Sequence, residues 1–185
     1  MVDKLLTSET VQVRDQKVLL ILGSKSDLPH AQKITEVLDK FSINYEGFVN
    51  SAHRDLPRLL TTLDLHFKDY DPNKNEVVIL TIAGLGDALS GDVKGYIRYN
   101  NLPVDVAACP PPNQEVGNQN YWTNLLMPDG MSLPVFLRPK NGAYFAIEQF
   151  LKNNPGLASE YAEAKDIDRV SEDATYTFGS TPKIG

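Results

Sequence analysis

Residues 18–27 of this chain read Val-Leu-Leu-Ile-Leu-Gly-Ser-Lys-Ser-Asp, and they indicate how the chain folds. An unbroken run of five apolar residues that stops at Gly23 is typical of a strand buried on both faces of a parallel sheet. The polar residues after it form a turn, and Pro29 suits the first turn of a helix. Apolar residues then recur at helical spacing, namely Ala31, Ile34, Val37, Leu38 and Phe41. The stretch is therefore predicted to be a strand, a polar turn and a helix.

The same order of elements repeats along the chain. Further strands are predicted at residues 45–50, 77–82, 104–109 and 133–137, and further helices at 56–67, 88–99 and 141–151. Strands that alternate with helices predict an α/β fold with right-handed crossovers. We expect a three-layer α/β/α sandwich with a central parallel sheet, of the flavodoxin-like kind, followed by a C-terminal helical extension.

The two ends of the chain differ from its middle. Residues 1–16 lack periodicity and are predicted to be an N-terminal extension, whereas residues 17–152 form the α/β domain. Residues 153–185 are predicted to be a C-terminal helix and tail, which begins after the breaker Asn153-Asn154-Pro155-Gly156. The apolar stripe of this helix is sparse, so it either docks on a neighbouring subunit or is a loose tail. We expect a use in oligomer assembly.

Composition excludes several classes of function. The 185 residues suit one domain, and 18 basic against 24 acidic residues give a net charge of −6, which argues against a nucleic-acid binder. One cysteine and three histidines exclude a disulfide framework and a multi-cysteine zinc site, so no metal is expected. The sequence has no apolar run of membrane-spanning length, and residues 1–15 mix charges without the apolar stretch of a signal peptide, so none is expected. We therefore expect a cytoplasmic protein with no membrane partner.

Three polar segments are predicted at the carboxyl ends of strands, where open α/β sheets bind ligands. They are residues 23–27, 50–54 and 83–91. The first suits a phosphate at a helix N-terminus, although an ordinary turn capped by Ser26 or Asp27 explains the same residues. It is neither a Walker loop nor a dinucleotide-binding fingerprint.

His53 is the only histidine predicted at the carboxyl end of a strand. A histidine at this position suits a proton carrier near neutral pH, and a surface or capping histidine is the alternative. His30 and His66 are expected to be solvated, and Cys109 is expected to be a buried, inert thiol.

Five motifs, taken in order, resemble the AIR carboxylase family of purine biosynthesis. These enzymes interconvert 5-aminoimidazole ribonucleotide (AIR) and its 4-carboxylate (CAIR). The motifs are Gly-Ser-Lys-Ser-Asp at 23–27, Ser-Ala-His-Arg at 51–54, Ala-Gly at 83–84, Ala-Leu-Ser-Gly at 88–91 and Met-Pro-Asp-Gly at 127–130. The resemblance covers about residues 18–151, most of the chain.

The family has two classes, which differ in their substrate. The mutase class uses N-carboxyaminoimidazole ribonucleotide and carries a second histidine in a Gly-Gly-Ala-Ala-His-Leu-Pro-Gly segment. Ala88 stands in the place of that histidine, and Ser90 in the place of the proline. Residues 88–91, 109–112 and 138–141 look instead like the class that uses AIR and CO2 directly.

One segment departs from the direct class. That class carries Arg-Ser-Asn after Ala-Gly, whereas this chain has Leu85-Gly86-Asp87. An apolar residue thus replaces a cation, and a carboxylate replaces a neutral amide. The direct carboxylase is the leading hypothesis, and the alternatives are the mutase or a diverged member that binds a related ribonucleotide without carboxylating it.

The resemblance implies a carboxy-lyase that needs no cofactor and assembles as a homo-octamer. It implies that His53 is the catalytic base. The substrate-binding residues that it implies are Gly23, Ser24, Ser26, Asp27, Ser51, Ala52, Arg54, Ala83, Gly84, Asp87, Ala88 and Leu89. Asp27 suits the ribose hydroxyls rather than the phosphate, because two anions in contact repel each other.

Overall fold

Four parallel strands form the sheet of the protein, whose computed structural model describes residues 14–112 and 122–168. They are β1 (Asp15–Leu22), β2 (Asn44–Val49), β3 (Asn75–Ile82) and β4 (Asp105–Ala108). Their order in the sheet is β2-β1-β3-β4. Strand β1 pairs with β3 from Asp15 opposite Asn75 to Leu22 opposite Ile82, so the two strands end at the same level.

Helices cover both faces of this sheet. They are α1 (Leu28–Lys40), α2 (Ala52–Phe67), α3 (Ala88–Tyr99), α4 (Trp122–Leu125), α5 (Pro139–Phe150) and α6 (Pro155–Asp168). Helices α1, α5 and α6 pack on one face, and α2 and α3 pack on the other. The predicted α/β/α sandwich with a parallel, flavodoxin-like sheet is therefore confirmed. None of the helices in the described ranges has the length and apolar character that crossing a membrane requires.

Strand β1 is buried on both sides, which explains its unbroken apolar run. Val18, Leu20 and Leu22 belong to the core under α1 and α5. Leu19 and Ile21 point the other way, into the core under α2 and α3. Alternate residues of a strand point to opposite faces, so a central strand between two helical layers needs apolar residues at every position.

The predicted fifth strand at residues 133–137 is wrong as a full strand. Only Val135 forms a bridge there, to Ala108. The Ala108 N–H donates to Pro134 O at 2.9 Å, and the Phe136 N–H donates to Ala108 O at 2.8 Å. Pro134 has no N–H to donate, and α5 begins at Pro139, so the segment is too short and too poor in donors to form a longer ladder.

Helix α6 packs on its own chain. Leu157 and Tyr161 are buried in the core under α1 and α5. The Tyr161 ring lies 5.7 Å from that of Phe41, and its hydroxyl donates to Glu148 Oε1 at 2.5 Å. The sparse apolar stripe of α6 therefore packs on the core of its own chain. The helix is not a loose tail, and it does not need a neighbouring subunit to cover the stripe. A role of this region in assembly stays a prediction, and most of the predicted N-terminal extension and of the C-terminal tail lies outside the described residues.

Candidate active site

A cavity of about 540 Å³ opens at the carboxyl ends of β1, β2 and β3. The connections after β1 and β3 leave toward opposite faces of the sheet, which is where an open α/β sheet forms a ligand crevice. All thirteen residues predicted for the site line this cavity: Gly23, Ser24, Ser26, Asp27, Ser51, Ala52, His53, Arg54, Ala83, Gly84, Asp87, Ala88 and Leu89. Leu85, Pro111 and Pro112 line it as well.

The loop after β1 is closed by its own side chains. The Ser26 N–H donates to Ser24 Oγ at 3.3 Å, and the Ser24 N–H donates to Asp27 Oδ2 at 2.8 Å. This reciprocal pair is a capping box on the short 3-10 turn Lys25–Asp27, with Ser24 as its N-cap. Asp27 is the N-cap residue of α1, as one of the two predicted alternatives had it, but its side chain makes no capping hydrogen bond to that helix. The Ser26 hydroxyl, which donates to Ser24 Oγ at 3.0 Å, remains exposed at the rim of the cavity.

Asp27 is a buried carboxyl group in the wall of the cavity. Burial, with a smaller contribution from nearby Asp87, raises its pKa to about 6 against the opposing effect of the hydrogen bond from the Ser24 backbone. Above that pH the group is a carboxylate, which accepts hydrogen bonds from hydroxyl groups.

Glycines bring the loops after β1 and β3 close together. A Cβ at Gly23 would lie 3.1 Å from Ala83 Cβ, and one at Gly84 would lie 3.4 Å from Pro111 Cγ. The Gly23 N–H also donates to Ile82 O at 2.8 Å, which joins the two strand ends. A ligand in the cavity therefore meets backbone here rather than side chains.

The loop after β2 presents His53 and Arg54 on a single turn. Helix α2 is interrupted at Asp55, whose φ of −154° and ψ of 64° are not helical. The Asp55 side chain instead accepts from the Arg58 N–H at 3.2 Å and caps the helix that continues through Pro57. Within residues 14–112 and 122–168 the His53 imidazole has no hydrogen-bond partner, and it is exposed to the cavity.

The loop after β3 touches His53. Gly86 has a φ of +51°, and a Cβ on it would lie 3.4 Å from His53 Cε1. On either side of this glycine, Leu85 is 56% exposed and Asp87 is only 2% exposed. The segment that departs from the family pattern therefore lies against the predicted base.

Asp87 is held by a buried network of hydrogen bonds. Its carboxylate accepts from the Ser90 N–H at 3.1 Å, from Ser90 Oγ at 2.6 Å and from Asn124 Nδ2 at 2.8 Å. Thr81 Oγ1 lies 2.6 Å from Ser90 Oγ and extends the network. Burial raises the pKa of Asp87, and these hydrogen bonds and the nearby His53 oppose the rise.

Sequence reasoning missed two members of this network. Ser90 belongs to the Ala-Leu-Ser-Gly motif at 88–91 but is not among the predicted site residues, and in the structure it is fully buried and does not line the cavity. Asn124 lies on the short helix α4, far along the chain, and no spacing pattern marks it. Its Oδ1 atom is buried and has no partner among the described residues.

His30 contradicts the expectation that it is solvated. It is 7% exposed in the first turn of α1, and its Nε2 atom has no hydrogen-bond partner in the described part of the chain. Burial, with a smaller effect of Lys33, lowers the pKa of this imidazole to about 4. His66 is half-buried instead, with its ring stacked 5.3 Å from Phe48. Cys109 is buried as expected, and burial raises the pKa of its thiol to about 12.

The wild-type protein is expected to lose stability at acidic pH because of His30, and His30→Leu is expected to abolish this loss. The pKa of His30 in the folded chain lies below its ordinary value of 6.5, so the unfolded chain takes up the proton first. Wild-type stability should therefore fall as the pH drops from about 6.5 toward 4, by about 2 kcal/mol between pH 7 and pH 5. Urea unfolding of both proteins at the two pH values measures this, and parallel pH curves would contradict the buried, neutral histidine.

Comparisons with known proteins point to one family. A sequence model described as AIR carboxylase matches residues 17–169. Phosphoribosylaminoimidazole carboxylase of Treponema denticola is 35% identical over 133 residues, which cover 72% of this chain and 78% of that protein. The corresponding enzyme of Archaeoglobus fulgidus is 29% identical over 83% of this chain and 79% of its own length.

Longer relatives and a solved structure agree with this match. The multifunctional protein ADE2 of Gallus gallus is 31% identical over 75% of this chain, and the match spans only 30% of that protein. The crystal structure of Treponema denticola PurE superposes with a TM-score of 0.71 at 31% identity, and it covers 83% of this chain and 93% of the solved chain.

Proposed function

The chain belongs to the AIR carboxylase family, and from this premise we propose that it catalyses the reversible carboxylation of AIR by CO2 to give CAIR, in purine biosynthesis. The observation that carries the proposal is one cavity lined by all thirteen predicted site residues, twelve of which belong to the family motifs and one of which, Asp87, belongs to the segment that departs from them. His53, whose ring is free to meet a ligand, lies between the loops that would hold the substrate.

Carbon 4 of the aminoimidazole ring acts as the nucleophile in this reaction. The neighbouring amine donates electron density into the ring, so carbon 4 attacks the carbon of CO2 directly. A carbon–carbon bond forms, and one electron pair of CO2 moves to oxygen to give a carboxylate. The step needs no activated carboxyl donor, so we propose a carboxy-lyase without a cofactor.

His53 completes the reaction as a base. After the attack, carbon 4 is tetrahedral and bears both the carboxylate and its original hydrogen. The neutral imidazole takes this proton, and the electrons of the carbon–hydrogen bond restore the aromatic ring. In the reverse direction the imidazolium protonates carbon 4, and the carboxylate leaves as CO2.

The remaining residues divide between the two ends of the ribonucleotide. The hydroxyls of Ser24, Ser26 and Ser51, together with the guanidinium of Arg54, would hold the phosphate. The Asp27 carboxylate would accept from the ribose hydroxyls. Ala83 and Gly84 would face the base chiefly with their backbone, because one carries only a methyl group and the other has no side chain.

An assay with AIR and bicarbonate tests the proposal. CAIR formation, followed by its absorbance, is the expected result for the wild-type protein, and absence of turnover would contradict it. A preference for N-carboxyaminoimidazole ribonucleotide would favour the mutase instead. Leu85 and Asp87 favour a third candidate, a diverged binder, which tight binding of AIR or CAIR by calorimetry without chemistry would support.

Replacing Arg54 with alanine is expected to raise the KM for AIR by about ten- to a hundredfold, because a charge-assisted contact to the phosphate is lost. Arg58→Ala is the matched control. Arg58 is exposed on the same helix but does not line the cavity, so its loss should leave KM nearly unchanged. Equal effects of the two substitutions would indicate that Arg54 attracts the ligand only through long-range electrostatics and does not contact its phosphate.

We also propose that the enzyme is a cytoplasmic homo-octamer whose α/β domain spans residues 17–152. Support for a subunit contact comes from the sheet edge at β2. Leu28, Tyr45 and Val49 are 47%, 41% and 36% exposed there, around an apolar hollow of about 210 Å³. An unpaired edge with exposed apolar side chains is usually covered in the working protein. Light scattering in solution tests the octamer, and a monomer at micromolar concentration would contradict it.

A further inference from the structure

The reacting carbon must lie next to the loop after β3. A base must approach the proton that it removes to within hydrogen-bond reach, so the carbon that carries the new carboxylate lies close to the His53 ring. The Gly86 backbone lies against that same ring. The carboxylate therefore forms within reach of the side chains of Leu85 and Asp87, both of which line the cavity.

The charges on the cavity wall are unfavourable for a second anion on the ligand. Of the described residues that line it, Arg54 has the one permanent positive charge, and Asp27 and Asp87 are acidic. The proposed function assigns Arg54 to the phosphate. Beside His53 the wall offers the apolar side chain of Leu85 and, behind it, the carboxylate of Asp87. The first N–H groups of α3 favour an anion there, but the Asp87 side chain occupies the Ser90 N–H and brings a negative charge to that helix end.

We propose that Leu85 and Asp87 make this site discriminate against a carboxylate on the reacting carbon, so that AIR binds more tightly than CAIR. The proposal rests on the function given above and specifies which of the two ribonucleotides, AIR or CAIR, the site prefers. Two like charges within several ångströms of each other in a partly desolvated site repel strongly. We expect the wild-type protein to bind AIR at least about tenfold more tightly than CAIR.

Asp87→Asn isolates the charge. Asparagine has the same shape and is an equally good N-cap, so the acceptor for the Ser90 N–H remains. The new NH2 group would face Ser90 Oγ, whose hydroxyl can rotate to accept a hydrogen bond. It would also face Asn124, whose side-chain amide can turn so that Oδ1, which has no partner among the described residues, accepts a second hydrogen bond. The variant is therefore expected to fold. Leu85→Arg is a second variant, at an exposed position, that adds a cation to the same wall.

Calorimetric titration of the full chain with AIR and with CAIR measures the ratio of the two dissociation constants. We expect Asp87→Asn to reduce the preference for AIR about tenfold, chiefly by tighter binding of CAIR, and Leu85→Arg to reduce it as well. If Asp87 has only a structural role, Asp87→Asn should weaken the binding of AIR and of CAIR equally and leave the ratio of their dissociation constants unchanged. Asp92→Asn is the matched control: Asp92 is half-buried on α3 and interacts with His53, but it does not line the cavity.

The outcomes separate this inference from the proposed function. Equal affinities of the wild-type protein for AIR and CAIR, or the same ratio in wild type and in both wall variants, would overturn the inference and leave the carboxylase intact. A change in Asp92→Asn as large as that in Asp87→Asn would also overturn it. If neither ligand binds and no CAIR forms, the proposed function fails and this inference fails with it.

Discussion

His53→Asn should lower the rate of AIR carboxylation by about a thousandfold or more while the affinity for AIR changes little. The amide keeps much of the size of the imidazole but cannot take up the proton of carbon 4. His53 is the one histidine among the described residues that line the cavity. The phosphate contacts proposed for Arg54 and the serines are untouched. Initial rates from CAIR absorbance, with AIR titrations of the same protein, measure the two quantities.

His66→Asn is the control for this substitution. Its ring is half-buried against Phe48, far along α2 and outside the cavity, so turnover should stay close to that of the wild type. Undiminished turnover in His53→Asn would rule out the proposed base. A variant that loses AIR binding together with turnover would show that His53 holds the ligand rather than moving a proton.

Gly142→Ala is expected to destabilise the fold by about 2 kcal/mol. Gly142 is buried on α5, and a Cβ there would overlap Cys109 Sγ and lie 3.9 Å from Leu80 Cδ1. The helix therefore packs so closely on Cys109, the residue that follows β4, that either the thiol or the helix must move. Because the interior is densely packed, neither movement is free. Urea unfolding at a fixed protein concentration measures the loss.

Two further variants test the cause. In Gly142→Ala with Cys109→Ala the clash is gone, so the double variant should be less destabilised than the sum of its parts. Gly95→Ala, on α3, places a methyl group that no side chain or other segment of the described residues approaches within 4 Å, and it should be neutral or stabilising, since alanine is the better helix former. Strict additivity, or an equal loss at Gly95, would contradict the packing explanation.

Most of the fold could be predicted because its signals are local. The apolar run at 18–22 and the helical spacing after Pro29 each reflect burial of a single element. The prediction failed where burial depends on partners distant in sequence. Pro134 limits the edge strand through a missing donor, and Leu157 with Tyr161 finds a partner in Phe41, which no local pattern reveals. His30 is buried as well, although a polar residue in the first turn of a helix gives no local sign of burial.

The candidate site could be predicted from loops that follow three consecutive strands. Each loop carries residues of unusual type, and a parallel sheet brings its carboxyl ends together. What lies beneath the loops could not be predicted. Asn124, which donates a hydrogen bond to Asp87, lies after the undescribed residues 113–121. Ser90 donates to Asp87 through a buried hydroxyl. The Asn124 contact depends on tertiary geometry, so spacing carries no trace of it, whereas Asp87 and Ser90 have the spacing of a helix N-cap and its third residue.

The pairing of β1 directly with β3 has a consequence for how the chain reaches its native state. Asp15 and Asn75 meet only after α1, β2 and α2 have been looped out, which is a contact of high sequence separation and a slow one to form. The Gly23 N–H reaches Ile82 O only then, so the cavity forms only once the two strands have paired. Ligand affinity should therefore appear no earlier than this pairing during refolding, and the ribonucleotide should raise the melting temperature by mass action on the folded chain.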